Sequence, residues 1–166
     1  MVERKDLEQM AAGIIDRMRQ TNLKLATAES CTGGLIAGLF TEIAGSSDVF
    51  ERGFVTYSNE AKNELLDVSM KILDAHGAVS RQTAESMALG TLAHSRADIS
   101  VSVTGIAGPG GGSIEKPVGL VYFGSARKGH GSHVHEARFG DIGRRQIRLE
   151  SCQVAMNMIL DQIDLG

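Results

Sequence analysis

The sequence is poor in cysteine, in proline, in excess positive charge and in long apolar runs. Each shortage closes a class of explanation. The two cysteines, Cys31 and Cys152, stand far apart with no CxxC spacing, which argues against a disulfide framework and against a cysteine zinc site. Lysine and arginine number 17 against 20 acidic residues, a formal net charge of -3. Nucleic-acid binders usually carry a basic face, so no nucleic-acid partner is expected. No apolar run approaches the roughly 20 residues of a membrane-spanning helix, so no membrane partner is expected either. The opening MVERKDLEQM is charged and helical in character rather than a secretory leader. A reduced, cytoplasmic protein is the expectation. Hydrophobic content of 42% and charged content of 22% over 166 residues fit one soluble domain spanning residues 1–166.

Glycine is what the chain has in excess: 20 of 166 residues, against a usual share of roughly 7%. The clusters at Gly33-Gly34 and from Gly105 to Gly112 read as loops between regular elements. Leu7, Met10, Ala11, Ile14, Ile15 and Met18 recur at helical spacing and predict an amphipathic helix over 4–20. A strand over 23–28 then leads into a helix over 33–43, with Thr32 as its cap. A strand at 53–57 precedes a short helix capped by Asn59. Ser69 starts another helix, ending at His76-Gly77, and Ser80 caps a longer one. ISVSVT, residues 99–104, alternates strictly and reads as a strand. Residues 118–126 and 132–139 read as consecutive antiparallel strands, and 143–162 as a terminal helix with Cys152, Met156 and Met158 as core filling. This order specifies an α/β layered domain with a mixed sheet flanked by helices. In such sheets ligands lie beyond the carboxyl ends of strands. That singles out three loops: Glu29 to Gly34, Tyr57 to Lys62, and Thr104 to Gly112.

The first of these, in TAESCTGG (residues 27–34), concentrates hydroxyls and a thiol at a strand-to-helix junction. Its glycines allow positive φ, and free N–H groups at the helix start suit a phosphate or an oxyanion. Ser30 on such an elbow is a candidate nucleophile. A helix start whose serine and threonine merely satisfy N–H groups is the competing reading. No lysine follows the glycines, so the loop is not a P-loop. Cys31 is the rival nucleophile. Adjacent side chains at a tight turn diverge, and cysteine is buried more readily than serine, so the pocket position is assigned to Ser30. The second loop, in VTYSNEAK, carries Tyr57 and Lys62. A partly desolvated lysine near a helix start has a depressed pKa and serves as a base. No histidine falls in the three loops, so a Ser–Lys arrangement is favoured over Ser–His–Asp. A solvated surface lysine is the alternative. The third loop, in VTGIAGPGGGSIEKPVG, holds six glycines and both prolines, marks of a binding loop. Thr104 is expected to offer its hydroxyl to a ligand there.

His130, His133 and His135 lack a third ligand at a recognisable spacing, so a polar strand explains them better than a metal site. Arg144, Arg145 and Arg148 open the terminal helix, either as a solvated face or as an arm reaching a ligand phosphate.

Taken together, TAESCTGG, GFVTYSNEAK, SVTGIAGPGGGSIEKPVGLVYFG and the terminal RRQIR resemble the CinA C-terminal domain family over about residues 5–160. Its stand-alone members are nicotinamide-nucleotide amidohydrolases, which convert nicotinamide mononucleotide (NMN) to nicotinate mononucleotide and ammonia. The resemblance implies a serine amidase with Ser30 on the nucleophile position and Tyr57 and Lys62 on those of its activating partners. It needs no metal or organic cofactor, and backbone N–H groups around Gly33 and Gly34 are expected to hold the oxyanion. Cys31, Thr32, Gly33, Gly34, Thr104, Gly105, Gly108 and Arg144 are the expected substrate-binding positions. The resemblance and the open sheet edges both point to a dimer-based homo-oligomer. The family's second, molybdopterin-binding-like domain is absent from this sequence, so its pyrophosphatase activity is not expected. The family's Gly-Asp-Arg reads Gly140-Asp141-Ile142-Gly143-Arg144 here, which leaves open the arginine that meets a phosphate. The alternative function is a non-catalytic nucleotide-binding or regulatory domain.

Overall fold

The computed structural model describes all 166 residues. Its elements are α1 (Arg4–Gln20), β1 (Leu25–Glu29), α2 (Leu35–Thr41), β2 (Phe50–Val55), α3 (Asn59–Leu66), α4 (Met70–His76), α5 (Arg81–Ala93), β3 (Ile99–Gly105), β4 (Leu120–Arg127), β5 (Gly131–Arg138) and α6 (Arg144–Ile163). The strands form one mixed sheet in the order β2-β1-β3-β4-β5. β1 runs parallel to both β2 and β3, while β3, β4 and β5 alternate in direction. No helix is long and apolar enough to cross a membrane.

Several boundaries differ from the sequence-based expectation, and the differences have causes. Thr32 does not cap α2: Gly34 occupies the N-cap position in the left-handed region, φ 98°, with no capping side chain of its own. The carboxylate of Glu29, at the end of β1, accepts from the N–H groups of Ile36 (2.9 Å) and Ala37 (3.1 Å) instead. A cap supplied from the preceding strand satisfies the same orphan donors as a local one. Ser58 rather than Asn59 caps α3, accepting from the Ala61 N–H. Ser69 and Ser80 cap α4 and α5.

The sheet's two faces are packed differently. α1, α2 and α6 cover one face with the main apolar core, in which Leu7, Ile14, Phe40, Phe123 and Ile159 are fully buried. α5 covers the other face with few large side chains and close backbone contact. The alternation of β3 is not an inside-outside pattern, because residues 99 to 104 are all buried. Its polar residues face α5 and the segment before it: Ser100 donates to Ala88 O (2.7 Å) and Ser102 to Ala84 O (2.6 Å) in α5, and Thr104 to Ala78 O (2.7 Å) ahead of it. Hydroxyls paired this way are tolerated where unpaired ones cost a few kcal/mol. A Cβ on Gly124 of β4 would lie 2.3 Å from Ala84 O, and one on Gly90 of α5 would lie 2.0 Å from Leu66 O. These contacts require glycine because backbone, unlike a side-chain tip, cannot move aside.

Gly90→Ala is therefore expected to destabilise the protein by about 2 kcal/mol or more, although alanine is the better helix former by roughly 1 kcal/mol. Gly13→Ala in α1, where a Cβ meets nothing within 4 Å, should stabilise by up to about 1 kcal/mol. Urea unfolding of the two variants measures both. Equal shifts would show that backbone packing under α5 is not limiting.

Candidate active site

The parallel triplet β2-β1-β3 ends on one side of the sheet, and the chain continues from each strand into one of the three glycine- or hydroxyl-rich loops. Ser30 follows β1 directly. Its N–H donates to Val103 O (2.9 Å), and the Thr56 N–H donates to Glu29 O (2.9 Å). The turn that carries Ser30 is thus stitched to both neighbours.

Lys62 reaches this point from α3. Its side chain is fully buried, and its Nζ donates to Ser30 Oγ at 3.0 Å and to Thr56 O at 2.8 Å, with Tyr57 O at 3.4 Å. Burial pushes the amine down from its ordinary 10.5 to about 8, the neighbouring Cys31 opposing part of the shift. Two carbonyls hold two of its N–H groups and leave its remaining valence directed at Ser30. A desolvated amine of this kind is neutral in a large fraction of molecules just above neutrality.

Cys31 lies beside Ser30 in sequence and packs into the core. Burial, reinforced by the Glu29 carboxylate, pushes its thiol up to about 12 against the pull of its own N–H and the Arg148 and Lys62 charges. A thiol so raised stays protonated near neutrality and is a poor nucleophile. Burial raises the Cys152 thiol as well.

A cavity of about 210 Å³ opens onto Ser30 and Cys31, bounded by Tyr57, Arg144 and the loop from Gly105 to Gly111. Arg144 spans its mouth, donating to Gly108 O (2.7 Å) and to the Tyr57 hydroxyl (3.2 Å). Gly108 takes a positive φ of 76° and packs on Val118, whose Cγ1 would lie 2.6 Å from a Cβ there. Between Ala107 and Gly112 no N–H donates to the backbone, so the loop keeps its donors free. A larger groove of about 450 Å³ between Leu66 and Ala93 includes Ser86 but no lysine, histidine or cysteine.

Of the expected site residues, Ser30, Cys31, Tyr57, Gly105, Gly108 and Arg144 line this cavity, and Lys62 stands behind Ser30. Thr32, Gly33, Gly34 and Thr104 do not line it. Thr104 spends its hydroxyl on Ala78 O. The Gly33 N–H closes a turn onto Ser30 O (3.0 Å) and is not free for an oxyanion. Tyr57 is exposed, and its hydroxyl is held by Arg144 rather than by Ser30 or Lys62. Two residues take roles that the sequence does not suggest: Glu29, and Arg148, which reads from sequence as a solvated face or a phosphate arm but binds backbone carbonyls instead. Glu29 caps α2 from the strand, a role visible only as a glycine-started helix lacking a cap. Arg148 donates from Nε to Cys31 O (3.2 Å) and from Nη2 to Thr32 O (2.9 Å). His133 and His135 sit on β5 opposite Ser125 and Phe123, toward the far end of the sheet.

The site is thus a mixed-sheet α/β domain's strand-end pocket in which a buried lysine amine is hydrogen-bonded to a serine. The chain belongs to the CinA family, whose C-terminal domain matches residues 7–163. It is 48% identical over 157 residues to the nicotinamide-nucleotide amidohydrolase PncC of Enterobacter agglomerans, covering 94% of each chain. It is 48% identical over 156 residues to a CinA-like protein of Chlorobium phaeovibrioides, and spans 36% of that longer protein. The crystal structure of the competence/damage inducible protein CihA from Agrobacterium tumefaciens superposes with a TM-score of 0.93 at 54% identity, covering 94% of each chain.

The depressed Lys62 value sets a stability test. The unfolded chain holds its proton up to about 10.5 and the folded chain only to about 8. Between these values the unfolded state binds more protons, so stability must rise with pH. Relative to Lys62→Met, the wild type should gain about 3 kcal/mol between pH 7 and pH 11. Denaturant unfolding of both proteins across this range checks it, and parallel curves would mean that the amine is not desolvated.

Proposed function

We propose that this protein hydrolyses the carboxamide of nicotinamide mononucleotide, giving nicotinate mononucleotide and ammonia. One observation carries the reading: the buried Lys62 Nζ, 3.0 Å from Ser30 Oγ and pinned by Thr56 O. The amidohydrolase names of full-length relatives support the substrate.

In the neutral form, Lys62 takes the proton of Ser30 as Oγ attacks the carboxamide carbon. The tetrahedral species collapses by breaking the C–N bond, and Lys62 returns the proton to the departing nitrogen, releasing ammonia. The nicotinoyl ester on Ser30 is then hydrolysed by water, with Lys62 again acting as base. The 210 Å³ cavity is smaller than the roughly 300–1,000 Å³ typical of whole-ligand sites. It suits the pyridine carboxamide, while the ribose phosphate extends past Arg144 and the free N–H groups of the glycine loop. Each proton transfer runs between Ser30, Lys62, the substrate and water.

Ammonia release from NMN tests the reading. Turnover should rise with pH to a plateau above about 8, following deprotonation of Lys62. Ser30→Ala should lower kcat by roughly 10³-fold or more while NMN still binds; Cys31→Ala should keep most of the activity. Binding of NMN by the wild type without ammonia release would favour the non-catalytic nucleotide-binding reading.

We also take the protein to be a cytoplasmic, dimer-based homo-oligomer. β2 and β5 are the edge strands of the sheet, and β5 carries eight residues, Gly131–Arg138, along an edge that no strand of the chain covers. Light scattering at micromolar concentration should report a multiple of the 17.7 kDa chain, and a monomer alone would refute it.

A further inference from the structure

We propose that Arg148 is a positioning residue for the reaction and that the oxyanion donor it sets is the N–H of Cys31. The inference rests on the amidase reading above and deepens it by assigning the group that receives the developing negative charge.

A peptide bond is planar and trans, so its C=O and N–H point in opposite directions. Orienting one end of such a unit therefore orients the other. Arg148 holds the nucleophile turn by two carbonyls at once, from Nε to Cys31 O and from Nη2 to Thr32 O. Fixing Thr32 O fixes the Gly33 N–H on the opposite side of that peptide, and this N–H donates to Ser30 O at 3.0 Å. Fixing Ser30 O fixes in turn the Cys31 N–H, which must point away from the interior of the turn. No acceptor on another residue takes the Cys31 N–H, and Cys31 borders the cavity that contains Ser30. The residue that follows a nucleophile on an elbow is suitably placed to donate to the oxyanion of its own ester.

The assignment also explains why a charged side chain is used beneath the turn. A fork of guanidinium donors matches two successive carbonyls with fixed geometry, whereas a lysine ammonium has no fork. Arg148 is half-buried and comes from α6, the helix that also supplies Arg144 to the mouth of the cavity. It makes no hydrogen bond to Ser30 Oγ or Lys62, and its hydrogen bonds to the turn are to backbone carbonyls.

Arg148→Met and Arg148→Lys test this. With NMN as substrate, Arg148→Met should lower kcat about 100-fold, in the range found for loss of one oxyanion donor, with KM changed less than threefold. Arg148→Lys, which reaches one carbonyl at a time, should fall between it and the wild type. The rise of rate with pH should keep its midpoint near 8 in Arg148→Lys, because Lys62 is untouched. A fluorophosphonate probe that labels serine nucleophiles places its P–O oxygen where the oxyanion forms. Its labelling rate at Ser30 should fall by the same factor in each variant. This arm does not depend on NMN, so a wild type that labels but releases no ammonia would remove the substrate assignment and leave the role of Arg148 decided by labelling. Unchanged kcat and labelling rate in a folded Arg148→Met, or in Arg148→Lys if the former does not fold, would overturn the proposal. So would a rise in KM alone, or a displaced pH midpoint.

Discussion

β1 is hydrogen-bonded along both edges by strands that run in its own direction, and no residue in it is exposed. Parallel pairing puts the carboxyl ends of three strands side by side. Glu29, Val55 and Gly105 end those strands, and the chain passes from them into the Ser30 turn, the Tyr57–Lys62 segment and the glycine loop. Residues separated by 30 to 80 positions meet only because of this arrangement. The two bonds that continue the ladders beyond their ends, Ser30 N–H to Val103 O and Thr56 N–H to Glu29 O, carry the sheet's rigidity into the site. Chemistry built on strand ends is held more tightly than chemistry built on loop tips.

Within that frame the most costly component is the buried amine. An ammonium taken out of water without a carboxylate partner loses hydration, and three oxygen atoms only partly replace it. The depressed pKa makes the neutral amine accessible near physiological pH, which lessens that cost. Cys31, a few atoms away, meets the same dry surroundings with the opposite result: its acid is raised and its sulfur silenced. Desolvation therefore separates the roles of these neighbouring groups.

The two faces of the sheet divide labour. The face under α1, α2 and α6 supplies most of the apolar burial. The face under α5 has a small core, with hydroxyl-to-carbonyl bonds from Ser100, Ser102 and Thr104 and glycine-to-backbone contacts at Gly90 and Gly124. Thr104 illustrates the consequence. A hydroxyl at a strand end beside the site is consumed in holding Ala78, and it serves the fold rather than a ligand.

Much of this was legible in the chain itself. Periodicity located each helix and strand to within a few residues, because an apolar face must be buried wherever it recurs. Loop composition marked the three segments that meet; Ser30 and Lys62 were singled out by residue type and placement near strand ends, Gly108 and Arg144 by the family resemblance. What the chain could not show are relations between side chains and remote backbone. The alternation in ISVSVT marked a strand but not what its hydroxyls face, since a serine bonded to a helix carbonyl has the same letter as one facing water. Thr32 looked like a cap because a carboxylate reaching forward from β1 leaves no local signature. The Tyr57 hydroxyl was assigned to the serine and lysine, yet Arg144, 87 positions away in sequence, holds it. Residue types and their spacing determined the fold class and the chemistry available. Which donor meets which acceptor was decided only when the sheet brought distant peptides to within 3 Å, a distance set by packing rather than by sequence separation.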